Sequence, residues 1–454
     1  MNNFFKVSHN SKKSKARVGE INSDHGKVLT PAFISAATKG TIKTLTPDQV
    51  TEIGIQGSCV NTYHLVTHPG AEIIAKAGGI QKYSRLDIFT MSDSGGFQVF
   101  SLAKNNRDVG DKFLSQVNSS SEKSSSSNIH SRKNLSPLSQ INQQRKAEVR
   151  GEEQPMLVKI SEDGVKFRSV YDGQLIEFTP EKSMEYQAQI GADINMAFDE
   201  CTYYPATHEY TEKAMNRTHE WLKRCINYKD SESKFLLHES LTTSQSPRKQ
   251  KNFSSSSTTI YQPRVTSHQY LYGIIQGGTY EDLRKKSAEF VVSQGTPGVA
   301  IGGVSVGESK KEMRDQVKWV SDYLPKDRPV HLLGVGQLDD IVDLVKYGVD
   351  TFDCVEPTRL ARMGTLYKIS SIESQILNNK KDEIDITRTV YKNNLEKVDE
   401  DCRCYVCSNF TKSYLHHLFK QREILGYTLA TYHNLWVMER LFEKIREMVV
   451  SDKI

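Results

Sequence analysis

The chain has 454 residues, enough for one large domain with insertions or for two or three ordinary ones. Aromatics at 9% and hydrophobics at 37% support a real core, while a mean hydropathy of -0.54 points to polar segments diluting it. The net charge of +5 permits a polyanionic partner without demanding one, and no run approaches the roughly 18 to 20 apolar residues of a membrane span.

The opening text "MNNFFKVSHNSKKSKARVG" is basic but has no apolar h-region, so it does not read as a secretory signal. Seven cysteines, an odd number with three crowded into "CRCYVC", argue against a disulfide framework and for a reducing, cytoplasmic setting.

Along the chain, apolar runs stop abruptly at Gly or polar residues. The first is "DIFTMSDSGG", followed by a Ser-rich stretch from about Asn105 to Pro155. "ADINMAFDEC" comes next, and then a second Ser-rich stretch from about Asp230 to His268. Neither stretch has apolar periodicity, so neither buries enough surface to offset its ordering entropy, and both read as solvated surface insertions. The runs then resume as "YLYGIIQGG", "GVAIGGVSVGE", "VHLLGVG" and "VDTFDCVEPTR". Between them "TYEDLRKKSAEFVVSQG" and "SKKEMRDQVKWVSDYL" have helical periodicity.

Apolar strands alternating with amphipathic helices mean a parallel sheet with helical crossovers, either doubly wound or closed as a (β/α)8 TIM barrel. Asp93, Asp199, Gln276, Gly303 and Asp353 all fall at strand C-terminal ends, where a barrel gathers its reactive residues, and this favours the barrel. A single strand-end Asp is ordinarily a cap or turn residue. Three on different strands converge on one mouth.

Near the C-terminus, "DCRCYVC" precedes a helical stretch carrying His433 in "LATYHNLW". Cys402, Cys404, Cys407 and His433 form a closed tetrahedral donor set that suits one structural Zn²⁺. An iron–sulfur cluster would want a fourth cysteine, and His416 and His417 in "SYLHHLFK" read as satisfied helix histidines. In "FDCVEPTRLARMG" the acid and the thiol are neighbours. Strand alternation turns Cys354 away from the face that shows Asp353, so the thiol reads as packing.

In this order, "SDSGGFQVFSL", "MAFDEC", "GIIQGG", "AIGGVSVGE", "LLGVG", "FDCVEPTR" and "CRCYVC…H" resemble a tRNA-guanine transglycosylase (queuine tRNA-ribosyltransferase) of the bacterial type. The likeness covers nearly the whole chain except the two insertions. It implies a barrel domain over 1–385, with insertions at about 105–155 and 230–268, and a zinc-binding subdomain with a closing helix over 386–454.

The resemblance also implies a reaction. The wobble guanine of tRNAs with a GUN anticodon is exchanged for a 7-deazaguanine base through a covalent Asp-ribosyl intermediate. Asp353 matches the nucleophile and Asp93 the general acid/base, with Asn61 positioning Asp93. Ser94, Gly95, Gly96 and Phe97 border the base, Phe97 by stacking. Asp199 and Gln276 read the purine edge, and Cys201, Gly303 and Val304 line the rest. Arg359 and Arg362 match holders of the anticodon loop.

Val306 is bulky where queuine-inserting relatives tend to have glycine, and Cys201 is the bacterial choice. Both favour the small pre-queuosine-1 base (7-aminomethyl-7-deazaguanine) over queuine. The chain stops soon after "EKIREMVV", which speaks against the archaeosine reaction of relatives with extra C-terminal modules. A homodimer is implied by the resemblance alone. The competing readings are a queuine-inserting salvage enzyme, a non-catalytic tRNA-binding subunit, and a barrel glycosidase or phosphate-binding enzyme. A subunit without activity has no need of the carboxylate pair.

Overall fold

The computed structural model describes residues 4–96, 156–169, 173–243, 266, 268–369 and 383–454. The expected insertion at 105–155 lies outside them, as does Phe97. Three antiparallel strands come first, β1 (Phe5–Asn10), β2 (Arg17–Ser23) and β3 (Gly26–Thr30). They are followed by β4 (Ala32–Ala36), β5 (Gly57–Val60) and β6 (Phe89–Ser92). A second antiparallel sheet, β7 (Met156–Ser161), β8 (Gly164–Arg168) and β9 (Leu175–Phe178), precedes β10 (Ile194–Met196). Then come β11 (Tyr270–Ile275), β12 (Gly298–Ile301), β13 (Val330–Leu332) and β14 (Thr351–Cys354).

Strands β4, β5, β6 and β10 to β14 close into an eight-stranded barrel, and every neighbouring pair is parallel. With helices packed around it, this is the expected TIM barrel. The helices begin where the sequence supplies caps. Thr46 and Ser309 form capping boxes with Gln49 and Glu312, and Thr179 caps the helix Pro180–Ile190. The helix His208–Thr243 runs into the start of the segment expected as an insertion from about Asp230.

The barrel is plugged at its N-terminal end. Phe4, just ahead of β1, and Ile21 and Val28 of the first sheet pack with Ile34, Phe89, Met91, Ile194 and Tyr272 of the barrel interior. Arg17 on β2 makes a bidentate pair with buried Asp350, which leads into β14, at 2.8 and 2.6 Å. The opposite end, at the strand C-termini, is left to carry the polar residues. The C-terminal helix Ile424–Val450 lies along β2, β4 and the helix Glu356–Met363, so the last segment of the chain is part of the barrel wall. Among the described residues, no helix is long and apolar enough to cross a membrane.

Candidate active site and metal centre

Asp93 follows β6 directly, and its backbone N–H donates to Val60 O at 3.1 Å, tying it to the end of β5. Its Oδ1 accepts the N–H groups of Thr62 at 2.9 Å and Gly95 at 3.1 Å, and its Oδ2 accepts from Asn61 Nδ2. Asn61 is aimed by a second bond. Its Oδ1 caps the helix Thr62–Thr67 by accepting the His64 N–H at 3.0 Å, which turns its amide nitrogen toward Asp93. Gly95 has φ +80, and a Cβ there would fall 2.9 Å from the Phe178 ring, so only glycine makes this turn comfortably. Burial pushes the Asp93 carboxyl up to about 7. The Thr62 and Gly95 amides oppose that rise, and the charges of Asp353 and Asp199 add to it.

Asp199, just past β10, is buried. Its Oδ1 accepts from Ser94 Oγ at 2.8 Å and its Oδ2 from Gln276 Nε2 at 2.7 Å. Ser94 also accepts the Gly96 N–H at 3.1 Å, so the SDSGG turn is held from both carboxylates. Burial raises the Asp199 carboxyl to about 6, against the pull of Ser94 and Gln276.

Gln276 closes β11. Among the described residues its buried Oε1 has no hydrogen-bond partner. A Cβ on Gly303, at φ +62, would fall 2.2 Å from that oxygen, so the close approach requires glycine. Cys201 and Val304 are buried beside them. Burial pushes the Cys201 thiol far up, leaving it an inert wall.

Asp353 on β14 is partly exposed, with 17% of its side-chain surface accessible. Its Oδ1 accepts the Gly334 N–H at 3.0 Å and lies 3.2 Å from His331 Nε2. The fully buried His331 places Nδ1 2.9 Å from Thr351 Oγ1. With the Thr351 hydroxyl donating to Nδ1, Nε2 carries the proton and donates to Asp353. Among the described residues, no hydrogen bond occupies Oδ2. Burial raises the neighbouring Cys354 thiol to about 12, as packing requires. Arg359 and Arg362 stand on the helix Glu356–Met363 directly after β14, Arg359 exposed and Arg362 donating to Thr358 O at 2.7 Å.

The fold thus gathers Asn61, Asp93 to Gly96, Asp199, Cys201, Gln276, Gly303, Val304 and Asp353 at one mouth. Sequence reasoning missed His331, the backbone donors of Thr62 and Gly334, and Arg284, which braces the Gly302–Gly303 turn. One signal was available for His331, the lone charged-type residue inside the apolar run "VHLLGVG".

The second cluster is Cys402, Cys404, Cys407 and His433, all buried, with donor atoms within 4.8 Å of one another. His433 Nδ1 lies 3.9, 3.5 and 3.4 Å from the three sulfurs. A tetrahedral metal with S and N ligands calls for edges of about 3.5 Å, so the set fits a metal ion. The His433 Nε2–H donates to Tyr367 O at 2.7 Å, which leaves Nδ1 as the lone-pair nitrogen. His416 is satisfied by Ile386 O at 2.8 Å, and His417 is exposed.

A family profile described as "Queuine tRNA-ribosyltransferase" matches residues 11–146 and 147–454. A protein of that name from Caldanaerobacter subterraneus subsp. tengcongensis is 37% identical over 450 residues, covering 99% of this chain and 94% of its own. Its namesake from Synechococcus elongatus is 36% identical over 449 residues, covering 99% and 92%. With match and geometry in agreement over both clusters, the chain belongs to the queuine tRNA-ribosyltransferase family of tRNA-guanine pentosyltransferases.

Proposed function

We propose that the enzyme exchanges the wobble guanine of tRNAs with a GUN anticodon for 7-aminomethyl-7-deazaguanine, through an ester between Asp353 and the ribose. The observation that carries this reading is the unequal pair of carboxylates at one mouth. Asp353 has one oxygen held and one free, while Asp93 has been raised to about 7.

The free Oδ2 of Asp353 attacks C1′ as the bond to guanine N9 breaks, and Asp93 supplies the proton that the departing purine needs. The incoming base then loses its N9 proton to Asp93, attacks C1′ from the vacated side and expels Asp353. Two displacements retain configuration, as in retaining glycosidases with a base in place of water. An acid near pKa 7 serves both proton transfers at neutral pH.

Asp199 is suited to accept from the N1–H and 2-amino donors of the base, and the Nε2–H of Gln276 that Asp199 does not take is suited to donate to its O6. Phe97 is assigned the stacking face, and Arg359 and Arg362 the anticodon-loop phosphates or bases. The small 7-substituent is favoured by bulky Val306 and buried Cys201 and Val304. The metal is assigned as one structural Zn²⁺, held by a closed donor set with no open position. Residues 386–454 are taken as the zinc-binding subdomain, the working form as a homodimer and the setting as cytoplasmic.

The test uses Asp353→Asn with labelled guanine. The variant should bind tRNA within about twofold of the wild type and lose exchange by roughly a thousandfold or more. Exchange at the normal rate would remove Asp353 from the reaction. Offering 7-aminomethyl-7-deazaguanine and queuine in turn identifies the incoming base.

A further inference from the structure

Arg284 is fully buried in the first turn of the helix Glu281–Ser293, yet no carboxylate pairs with it among the described residues. Its Nε donates to Gly278 O at 2.7 Å. Its Nη1 donates to Gly302 O at 2.6 Å and Ile275 O at 3.3 Å. Its Nη2 donates to Gly303 O at 2.7 Å and Gln316 Oε1 at 2.5 Å. A guanidinium has five N–H donors, and here each finds an acceptor. Four of those acceptors are backbone carbonyls, one at the end of β11 and three in the loops after β11 and β12. Burying a cation this deep is costly unless its hydrogen bonds perform a task.

That task follows from peptide geometry. In a trans peptide the carbonyl and the next N–H point in opposite directions. With Gly302 O and Gly303 O drawn to Arg284, the N–H groups of Gly303 and Val304 are turned the other way. A Cβ on Gly303 would fall 2.2 Å from Gln276 Oε1, which sets this turn against the pocket wall. We propose that Arg284 is a positioning residue for base recognition: it locks the Gly302–Gly303 peptide planes so that their amides, with Gln276, face the acceptor edge of the purine. Arg284 does not touch the base. Burial lowers its guanidinium to about 10, which leaves it charged at neutral pH. Lysine is a poor substitute, since a point ammonium cannot span carbonyls of two loops in one plane.

This inference rests on the exchange reaction proposed above, and the experiment separates the two. Wild type, Arg284→Lys and Arg284→Met are assayed for labelled-guanine exchange into tRNA, for tRNA binding and for thermal melting. In Arg284→Met the KM for guanine should rise about tenfold or more, with kcat and tRNA affinity within roughly threefold of the wild type. Arg284→Lys should fall between the two. An unchanged guanine KM in a folded variant overturns the proposal, as does a parallel loss of tRNA affinity and melting temperature with no separate effect on KM. If Arg284→Met does not fold, the KM of Arg284→Lys decides by the same criterion. A wild-type enzyme without exchange activity would instead sink the reaction itself.

Discussion

The two oxygens of Asp353 have different surroundings, which suits the nucleophilic role proposed above. Oδ1 is fixed by the Gly334 N–H and by His331, while among the described residues no hydrogen bond holds Oδ2. A nucleophile held by one oxygen loses less orientational freedom when the other attacks. His331 is itself oriented by Thr351 in the register partner position on β14, so the imidazole belongs to the strand pairing rather than to a loop. Replacing His331 with Ala removes one charge-assisted bond, of about 1.5–3 kcal/mol, and leaves Gly334 as the other support. The expected result is a kcat about tenfold lower or worse at an unchanged guanine KM, with less trapped enzyme–tRNA adduct on a denaturing gel. Partial recovery in His331→Gln, which keeps a donor, would separate orientation from packing. A kcat equal to that of the wild type would assign His331 to the core alone.

At the scale of elements, what could be read from the sequence followed side-chain size. The strands carrying Asp93, Asp199, Gln276, Gly303 and Asp353 are runs of large apolar residues broken by Gly or acid, and they were readable. β4 and β5 were not singled out as strands: Ala32–Ala36 follows a proline and sets Phe33 and Ile34 among three small residues, and Gly57–Val60 reads Gly-Ser-Cys-Val. Tertiary pairing makes them strands, which local propensity underrates. His331 and Arg284 were hidden for a related reason, since their roles depend on which loops the barrel brings together.

The metal knuckle was readable because ligand spacing is local, but its mechanical connection was not. His433 sits on the same helix as Asn434. Asn434 accepts the Tyr367 N–H at 3.0 Å and donates to Thr365 O at 3.0 Å, clamping β15 (Thr365–Tyr367) to the barrel-packed helix. If the set holds the zinc proposed above, Cys407→Ser should lose that metal and destabilise the fold by about 3 kcal/mol or more, read as a lower melting temperature together with metal analysis. A wild-type protein with no zinc, or a variant that melts unchanged, would refute a structural metal.

For the whole molecule, the barrel concentrates desolvated acid at its open end and seals the other with aromatic and aliphatic side chains. Asp93 and Asp199 are raised to about 7 and about 6, both chiefly by burial. The sign of the linkage follows. Between about pH 4 and 7 the folded chain keeps protons that the unfolded chain has released, so these groups make the fold less stable as pH rises through that window. For buried Asp199 the shift of about two units corresponds to about 3 kcal/mol at pH 8. Catalytic preparation and stability are therefore opposed at the mouth. Asp199→Asn removes the charge while keeping an oxygen for Ser94 or Gln276, so it should melt higher than the wild type at pH 8 and lose most of that advantage near pH 4.5. Base recognition should fall in the same variant, since an amide cannot accept from both purine donors. A melting difference equal at the two pH values would mean that the charge of Asp199 is not what burial penalises.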